Sequence, residues 1–531
     1  MRLVSLISVV SIALTGACDD EEPAHIGVAM NALDELLAAT PPAGRTPGTN
    51  QAIAELVRAQ FRAVGIEDVT IEEFSIPVSS STNHSVSLSG PVAVAGMVSH
   101  QVNVFGGAGT VRGAEIVDVG LAAVVMPAVA GKVALLDFSV TRSLRTQYRR
   151  IIDSGAIGAL IDSKIDTLRQ RNVWSLTGAT DIDGPIPIVT IEQGQAAALR
   201  EQLVLGANVR VDLATDAAVV PMRAYNVIAR IPGTTYPERT LLINGHLDSW
   251  FAGAADDGQA IAALVALGKV LNANPLPYTV ELVAFDCEET FLLGSNNYIM
   301  RRLPTVRDTL IGAISFEMLA PKTRELSIVT VDPRDVWLPP IEAGGLTELF
   351  NLVLTPADQM TAFGGEVPSD QGNFWQFGVP GFFVVSTYNE YHTIFDDAQN
   401  TDEVRYAGVL TALERTIREV GKLSPDILAR RPGTSIDVRP VITDRTNTRV
   451  RGTISTSNAQ SAAPVEDARV TITAYNEAYD TVVASAQAVF VAGTGYKFQI
   501  DHAFGSTNVY QLSFDAVVEG RASGRALLRL D

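Results

Sequence analysis

Positive charge is in short supply in this chain. Lysine and arginine number 40 against 59 aspartates and glutamates, a formal net charge of -19, so neither nucleic acid nor an anionic membrane surface would attract it over distance. Cysteine is scarcer still, with Cys18 and Cys287 the only two. With Cys18 in a leader, as argued below, a single thiol is left and no internal disulfide can form; the domains must then rest on ordinary cores or on metal. Histidine occurs six times, so imidazole chemistry can sit at few places. There is no tandem repeat or low-complexity tract, and no transmembrane span is expected. What is present is length: 531 residues exceed one ordinary core, and roughly two to four domains are expected.

The stretch MRLVSLISVVSIALTGACDD carries Arg2, an apolar segment from Leu3 to Leu14 and small residues before Cys18. That is the layout of a secretory leader over residues 1–18, too short and wrongly flanked for a spanning helix. LTGAC also resembles a bacterial lipoprotein processing box, which would make Cys18 a lipid anchor in the cell envelope. Plain cleavage nearby, with release to the periplasm or the exterior, is the other reading, and both export the protein. Residues 19–28 then read as a solvated tether.

From residue 29 to 78 two helical pieces lie within Asn31–Ala63, separated by the loop AGRTPGTN at Ala43–Asn50 and followed by a strand at Val69–Val78. Residues 79–221 change texture to short valine-rich strands and glycine turns. GKVALLDF, SGAIGALI and IPIVTI there suggest a β-rich α/β insert of structural role. From 222 to 427, apolar strands at Asn226–Ile231, Thr240–Asn244, Thr279–Phe285, Ala313–Phe316, Leu326–Val331 and Gly381–Val385 alternate with helices, one of them over Leu346–Leu354. This alternation predicts an α/β fold, a central mixed, mostly parallel sheet flanked by helices. Residues 440–531 read as a β-sandwich without obvious chemistry, a stability or attachment module.

The chemistry gathers in the 222–427 segment. Only His246 and His392 fall in it, and each lies beside carboxylates. His246 ends an apolar strand in LLINGHLDS; Asp248 follows it, and Asp256-Asp257 sit in a glycine-framed loop before an apolar helix. Glu288-Glu289 follow the next apolar strand, VELVAFDCEE. One acidic pair alone would be a solvated loop, but adjacent acids after buried strands are costly unless a cation neutralises them. An imidazole and oxygen ligand set without thiolate suits zinc or another divalent metal in an open, catalytic site. There are enough such ligands for two metals sharing a carboxylate, with Asp248 supporting His246 from behind.

In combination, GHLDS, ADDG, EETFLLGS, SDQGNFWQFGVP and YHTIFD resemble the bizinc exopeptidases, the family of secreted aminopeptidases and glutamate carboxypeptidases, over about Asn31–Leu423. AGRTPGTN resembles the family's amino-terminal motif, and the insert resembles its protease-associated domain. The resemblance implies a zinc exopeptidase-like fold and two Zn2+ ions. His246 and Glu317 would bind one, Glu289 and His392 the other, and Asp256 would bridge them. Glu288 would be the general base acting on a metal-bound water or hydroxide, Asp248 the supporting acid and Tyr391 an oxyanion donor. It also implies a cis bond after Asp256. Two positions depart from the pattern: Glu317 stands where an aspartate is usual, and Gln371 where the SDH motif has histidine. The implied activity is hydrolysis of terminal peptide bonds of a peptide substrate, aminopeptidase in direction. A carboxypeptidase or dipeptidase on the same site, and a non-catalytic receptor or scaffold of the same fold, are the alternatives.

Overall fold

The computed structural model describes residues 24–530 except 104–105, 123–126, 139–143, 171–184, 291, 303–305, 323–324, 331–333, 355–368, 431–435, 459–462, 477–481, 505–509 and 519–521. The expected leader and Cys18 lie outside the described residues. Among those described, no helix is long and apolar enough to cross a membrane.

The central element is an eight-stranded mixed sheet. Across it the strands run Val69–Ser80, Ala218–Ile231, Tyr278–Phe285, Tyr236–His246, Leu310–Phe316, Gly381–Thr387, Glu325–Thr330 and Asn351–Leu354. The four neighbours from Tyr278–Phe285 to Gly381–Thr387 are mutually parallel. They are buried on both faces, so they read as continuous apolar runs rather than alternating ones. The register pairs His246 with Phe285, Asn244 with Ser315 and Phe316 with Val384. It thereby brings the carboxyl ends of the four strands nearly level, where an open α/β sheet presents its ligand crevice.

Helices cover the sheet. Gln259–Ala273 is buried almost all round: Ile261, Leu264, Val265, Leu267 and Leu271 face a core that also holds Leu33, Leu36, Val57 and Phe61. Gly268 lets Phe61, Ile66 and Leu282 approach, since a Cβ there would lie 3.0 Å from Ile66. The first helix starts at Ala24, inside the stretch expected as tether, because Ile26, Ala29, Ala32, Leu33 and Leu36 form a buried stripe. The expected helix over Leu346–Leu354 is a single turn, Leu346–Leu349, followed by the edge strand Asn351–Leu354, which pairs parallel with Ser327–Thr330. Long-range pairing overrides local helix preference there. A helix at Arg334–Gly344 was hidden in the sequence by Pro339 and Pro340; it seats Trp337 against Phe382 over Gly312.

The 79–221 region forms its own eight-stranded sheet, with Val133–Asp137, Gly158–Asp162 and Ile188–Ile191 as parallel neighbours. At the carboxyl-terminal end of the chain two four-stranded antiparallel sheets share one core of Ile454, Ile472, Phe498, Leu512 and Phe514. Arg449–Asn458 and Gly495–Asp501 alternate buried and exposed residues, as a sandwich requires. Its first strand begins at Ile436, ahead of the expected domain start at residue 440.

Candidate metal centre

Each of the four parallel strands delivers a functional side chain at its carboxyl end. His246 closes Tyr236–His246, Glu288 and Glu289 follow Tyr278–Phe285, Glu317 follows Leu310–Phe316, and Tyr391 and His392 follow Gly381–Thr387. Asp256 arrives from the loop before the Gln259–Ala273 helix, through a cis Asp256-Asp257 bond, as the resemblance implied. All of these except Tyr391, which is half-buried, are buried.

The contacts converge on Asp256. Its Oδ1 is 3.0 Å from His246 Nε2, and its Oδ2 is 3.1 Å from His392 Nε2. His392 Nε2 is also 2.8 Å from Glu289 Oε1. Asp256, Glu289 and His392 offer ligand atoms that all lie within 4.8 Å of one another. Ligand atoms each about 2.0–2.1 Å from a tetrahedral zinc stand roughly 3.3 Å apart, so this trio fits the ion. Asp256 Oδ2 and His392 Nε2 are both buried and face each other without a well-formed hydrogen bond, the arrangement of two donors aimed at a common cation.

The supports are as specific as the ligands. His246 Nδ1 faces the Asp248 carbonyl at 2.9 Å, closer than the Asp248 carboxylate at 3.6 Å. A carbonyl can only accept, so Nδ1 carries the proton and Nε2 is free for metal. The Asp248 carboxylate has a second duty: it accepts the backbone N–H groups of Glu288 at 3.0 Å and Glu289 at 3.1 Å. Asp257 is a brace, its two oxygens accepting the amides of His246 and Met318.

Three supports were not assigned in the sequence reading. Asp396 accepts the amides of Ala255 and Asp256 and the Tyr388 hydroxyl. Arg45, from the AGRTPGTN loop, is fully buried and donates to the carbonyls of Leu247, Ala252 and Gly253. Asp370 accepts a short hydrogen bond from Ser295. Asp396 and Arg45 lie inside motifs already singled out, but their partners are remote backbone groups that no local pattern reveals. Gln371, in place of a histidine, bonds Ser315 Oγ at 3.0 Å, which in turn bonds Asn244; it braces two strand ends. Tyr391 stacks on the His392 ring, centroids 3.6 Å apart.

Electrostatics point the same way. Burial, then the neighbouring Glu317, drives the Glu288 carboxyl well above the usual range. Burial likewise raises Glu289 and Glu317, and brings Asp370 to about 7. Burial would lower both imidazoles, but Asp257, Asp248 and Asp256 outweigh it at His246, and Glu289 and Asp256 at His392. Burial would raise Asp256 too, yet the two histidines hold it below the ordinary range. Carboxylates crowded to this degree without enough cations need a positive charge among them.

Residues 226–416 match the family profile of Peptidase family M28. The chain is 28% identical over 204 residues to a probable leucine aminopeptidase 2 of Aspergillus fumigatus, covering 38% of this chain and 40% of that protein. It is 30% identical over 186 residues to Carboxypeptidase Q of Bos taurus, covering 32% and 39%. The match thus spans about two fifths of these relatives' length. A zinc aminopeptidase from Bacillus subtilis superposes with a TM-score of 0.59 over 75% of this chain and 96% of its own, at 19% identity, a likeness of fold. Strand order, the site at four level strand ends and the matched segment agree, and it is the segment 226–416 that is similar to peptidase family M28.

Proposed function

We propose that this protein is a two-zinc exopeptidase that removes amino-terminal residues from unblocked peptides. The observation that carries the reading is Asp256, one carboxylate whose two oxygens face two different imidazoles at 3.0 and 3.1 Å. His246, Glu317 and Asp256 Oδ1 would hold one zinc; Glu289, His392 and Asp256 Oδ2 would hold the other. Bound zinc supplies Lewis acidity toward the scissile carbonyl and makes water acidic near neutral pH.

The chain's own residues do the remaining work. Glu288 is not among the ligands, is buried beside Glu317, and has a carboxyl driven upward by burial. It takes the proton from the attacking water and delivers it to the departing amine nitrogen. The turn that aims it is held by Asp248. Tyr391, fixed on the His392 ring, offers a phenol to the carbonyl oxygen as negative charge develops there. The insert serves as a protease-associated-type domain, and the apolar leader supports export, with Cys18 as a lipid anchor.

The amino-terminal direction draws support from the aminopeptidase relatives; the 30% identity to Carboxypeptidase Q favours a carboxypeptidase as the second reading. Amino-acid amides, and peptides with a free carboxylate whose amino end is either free or acetylated, distinguish them when assayed with and without chelator. Hydrolysis of the free forms only, abolished by chelator, is the expected result; equal hydrolysis of acetylated peptides would shift the reading to carboxypeptidase. Glu288→Gln should cut turnover by about 10²–10⁴-fold, and near wild-type turnover would overturn the mechanism. Absence of both bound metal and hydrolysis would make the chain a non-catalytic scaffold.

A further inference from the structure

We infer that the 79–221 insert is part of the metal site: Arg169 and the Gln170 backbone grip the loop that carries His392 and fix the orientation of that one ligand. The inference rests on the two-zinc reading above and adds to it a positioning residue outside the peptidase body.

The contact is dense and almost wholly buried, with Arg169 and Gln170 exposed by only 4% and 2%. The Arg169 guanidinium donates to the Tyr391 carbonyl through Nη1 and to the Asn389 carbonyl at 2.7 Å through Nη2. Its Nε donates to Ser163 O at 3.3 Å, and its Cζ lies 4.5 Å from the Phe138 ring centre. An antiparallel bridge pairs Arg169 with Thr393. Gln170 completes the grip with main-chain atoms: its N–H donates to His392 O at 3.0 Å, and its carbonyl faces His392 Nδ1 at 3.2 Å. Because a carbonyl only accepts, this contact places the proton on Nδ1 and leaves Nε2 for the metal.

Two further observations make the grip a requirement rather than a chance contact. First, His392 sits at φ +59°, a left-handed backbone that a β-substituted residue adopts only when its surroundings hold it there. The backbone groups on either side are those engaged by Arg169 and Gln170. Second, the gripping segment is itself anchored in the insert. Lys164 bridges Asp137 at 2.6 Å and Asp162 at 2.8 Å, and Arg200 joins Asp118, Asp137 and Asp162 at the ends of neighbouring strands. The Gln170 side chain donates to Val102 O at 3.0 Å, and the Gln193 amide donates to Ile165 O at 3.1 Å. His246, by contrast, takes its orientation from Asp248, two residues away in its own strand end. The insert therefore acts on one metal position and not on the other.

The test is zinc binding to the full-length protein, titrated against a competing chelator with metal analysis, for wild type, Arg169→Ala and Arg169→Lys. Wild type should hold two zinc ions. Arg169→Ala should weaken one of them by about 10–100-fold and leave the other unchanged, in a protein whose metal-free form melts below wild type because buried carbonyls lose their donor. Arg169→Lys, which keeps the charge and one donor, should recover part of the loss. Equal weakening of both ions, or of neither, would overturn the inference. If Arg169→Ala does not fold, the lysine variant carries the same comparison with a smaller expected loss at the same ion. A wild type that holds a single zinc would overturn the two-metal reading, while loss of that ion's affinity in the variants would still establish the grip on His392.

Discussion

Asp248 and Glu288 are joined through backbone rather than through charge: Asp248 Oδ1 accepts the Glu288 amide at 3.0 Å, and its other oxygen accepts the next amide, that of Glu289. One carboxylate thus aims both the proposed base and a proposed ligand. Asp248→Asn keeps one acceptor oxygen but turns an amino group toward the second N–H, two donors facing each other in a buried site. Activity on a free amino-acid amide should fall by about 10–100-fold, with circular dichroism unchanged. Wild-type kcat/KM in this variant would show that the turn does not depend on Asp248.

Metal removal should cost stability as well as activity. Asp256, Glu288, Glu289 and Glu317 are buried together, and among the described residues the groups seen to pair with this cluster are the imidazoles of His246 and His392, on Asp256 and Glu289. Without zinc some of these carboxyls must take up protons or unfold locally. A ligand held at about 100 times its dissociation constant stabilises the folded state by about 2.7 kcal/mol. Dialysis against chelator should therefore lower the unfolding temperature by several degrees, and zinc should restore it together with turnover. Identical melting curves with and without zinc would argue against ions in this cluster.

Much of this site was legible in the sequence, for a physical reason. A buried parallel strand is apolar throughout, so the first polar residues after it mark its carboxyl end, and in this fold that end is the crevice. His246, Glu288 and Glu289 announce themselves in this way, whereas Glu317 entered only through the family resemblance. Asp396 does not: it accepts the amide of Asp256, 140 residues away, and nothing near it in the chain signals that duty. Gln170 is more hidden still, since it acts through its main chain, which carries no residue signature. The same limit explains the edge strand Asn351–Leu354, defined by its pairing partner rather than by its own residues.

Arg45 should be the most costly substitution outside the ligands. It is fully buried, and burial brings its pKa down to about 10 while Asp248 and Asp257 oppose the fall. Its donors fix the carbonyls of Leu247, Ala252 and Gly253, the segment between His246 and Asp256. Arg45→Ala would leave these carbonyls without donors, a loss of at least about 3 kcal/mol, read as a lowered denaturant midpoint. Gly44→Ala should act on the same segment, because Gly44 has φ +107° and a Cβ there would lie 2.2 Å from Ser249 O. Wild-type midpoints in both variants would mean that this loop does not hold the site.

The anchor of the insert gives a prediction in pH. Burial alone would raise the Asp162 carboxyl, but hydrogen bonds from Lys164 and Arg200 outweigh it and hold the group below the ordinary carboxylate range. A carboxyl depressed in the folded state adds stability that is present above its unfolded pKa and is lost as pH falls toward the folded one. Asp162→Asn removes that contribution, so the variant should be less stable than wild type at pH 7. The gap between their urea midpoints should then narrow below about pH 5, as the wild-type carboxyl protonates on unfolding. Asp162 begins the segment that ends at Arg169 and Gln170, so the variant should also weaken the zinc held by His392 more than the zinc held by His246. A gap that stays constant from pH 7 down to about pH 2 would mean that Asp162 contributes through packing alone, and equal weakening of zinc at both positions would separate the charge cluster from the grip on His392.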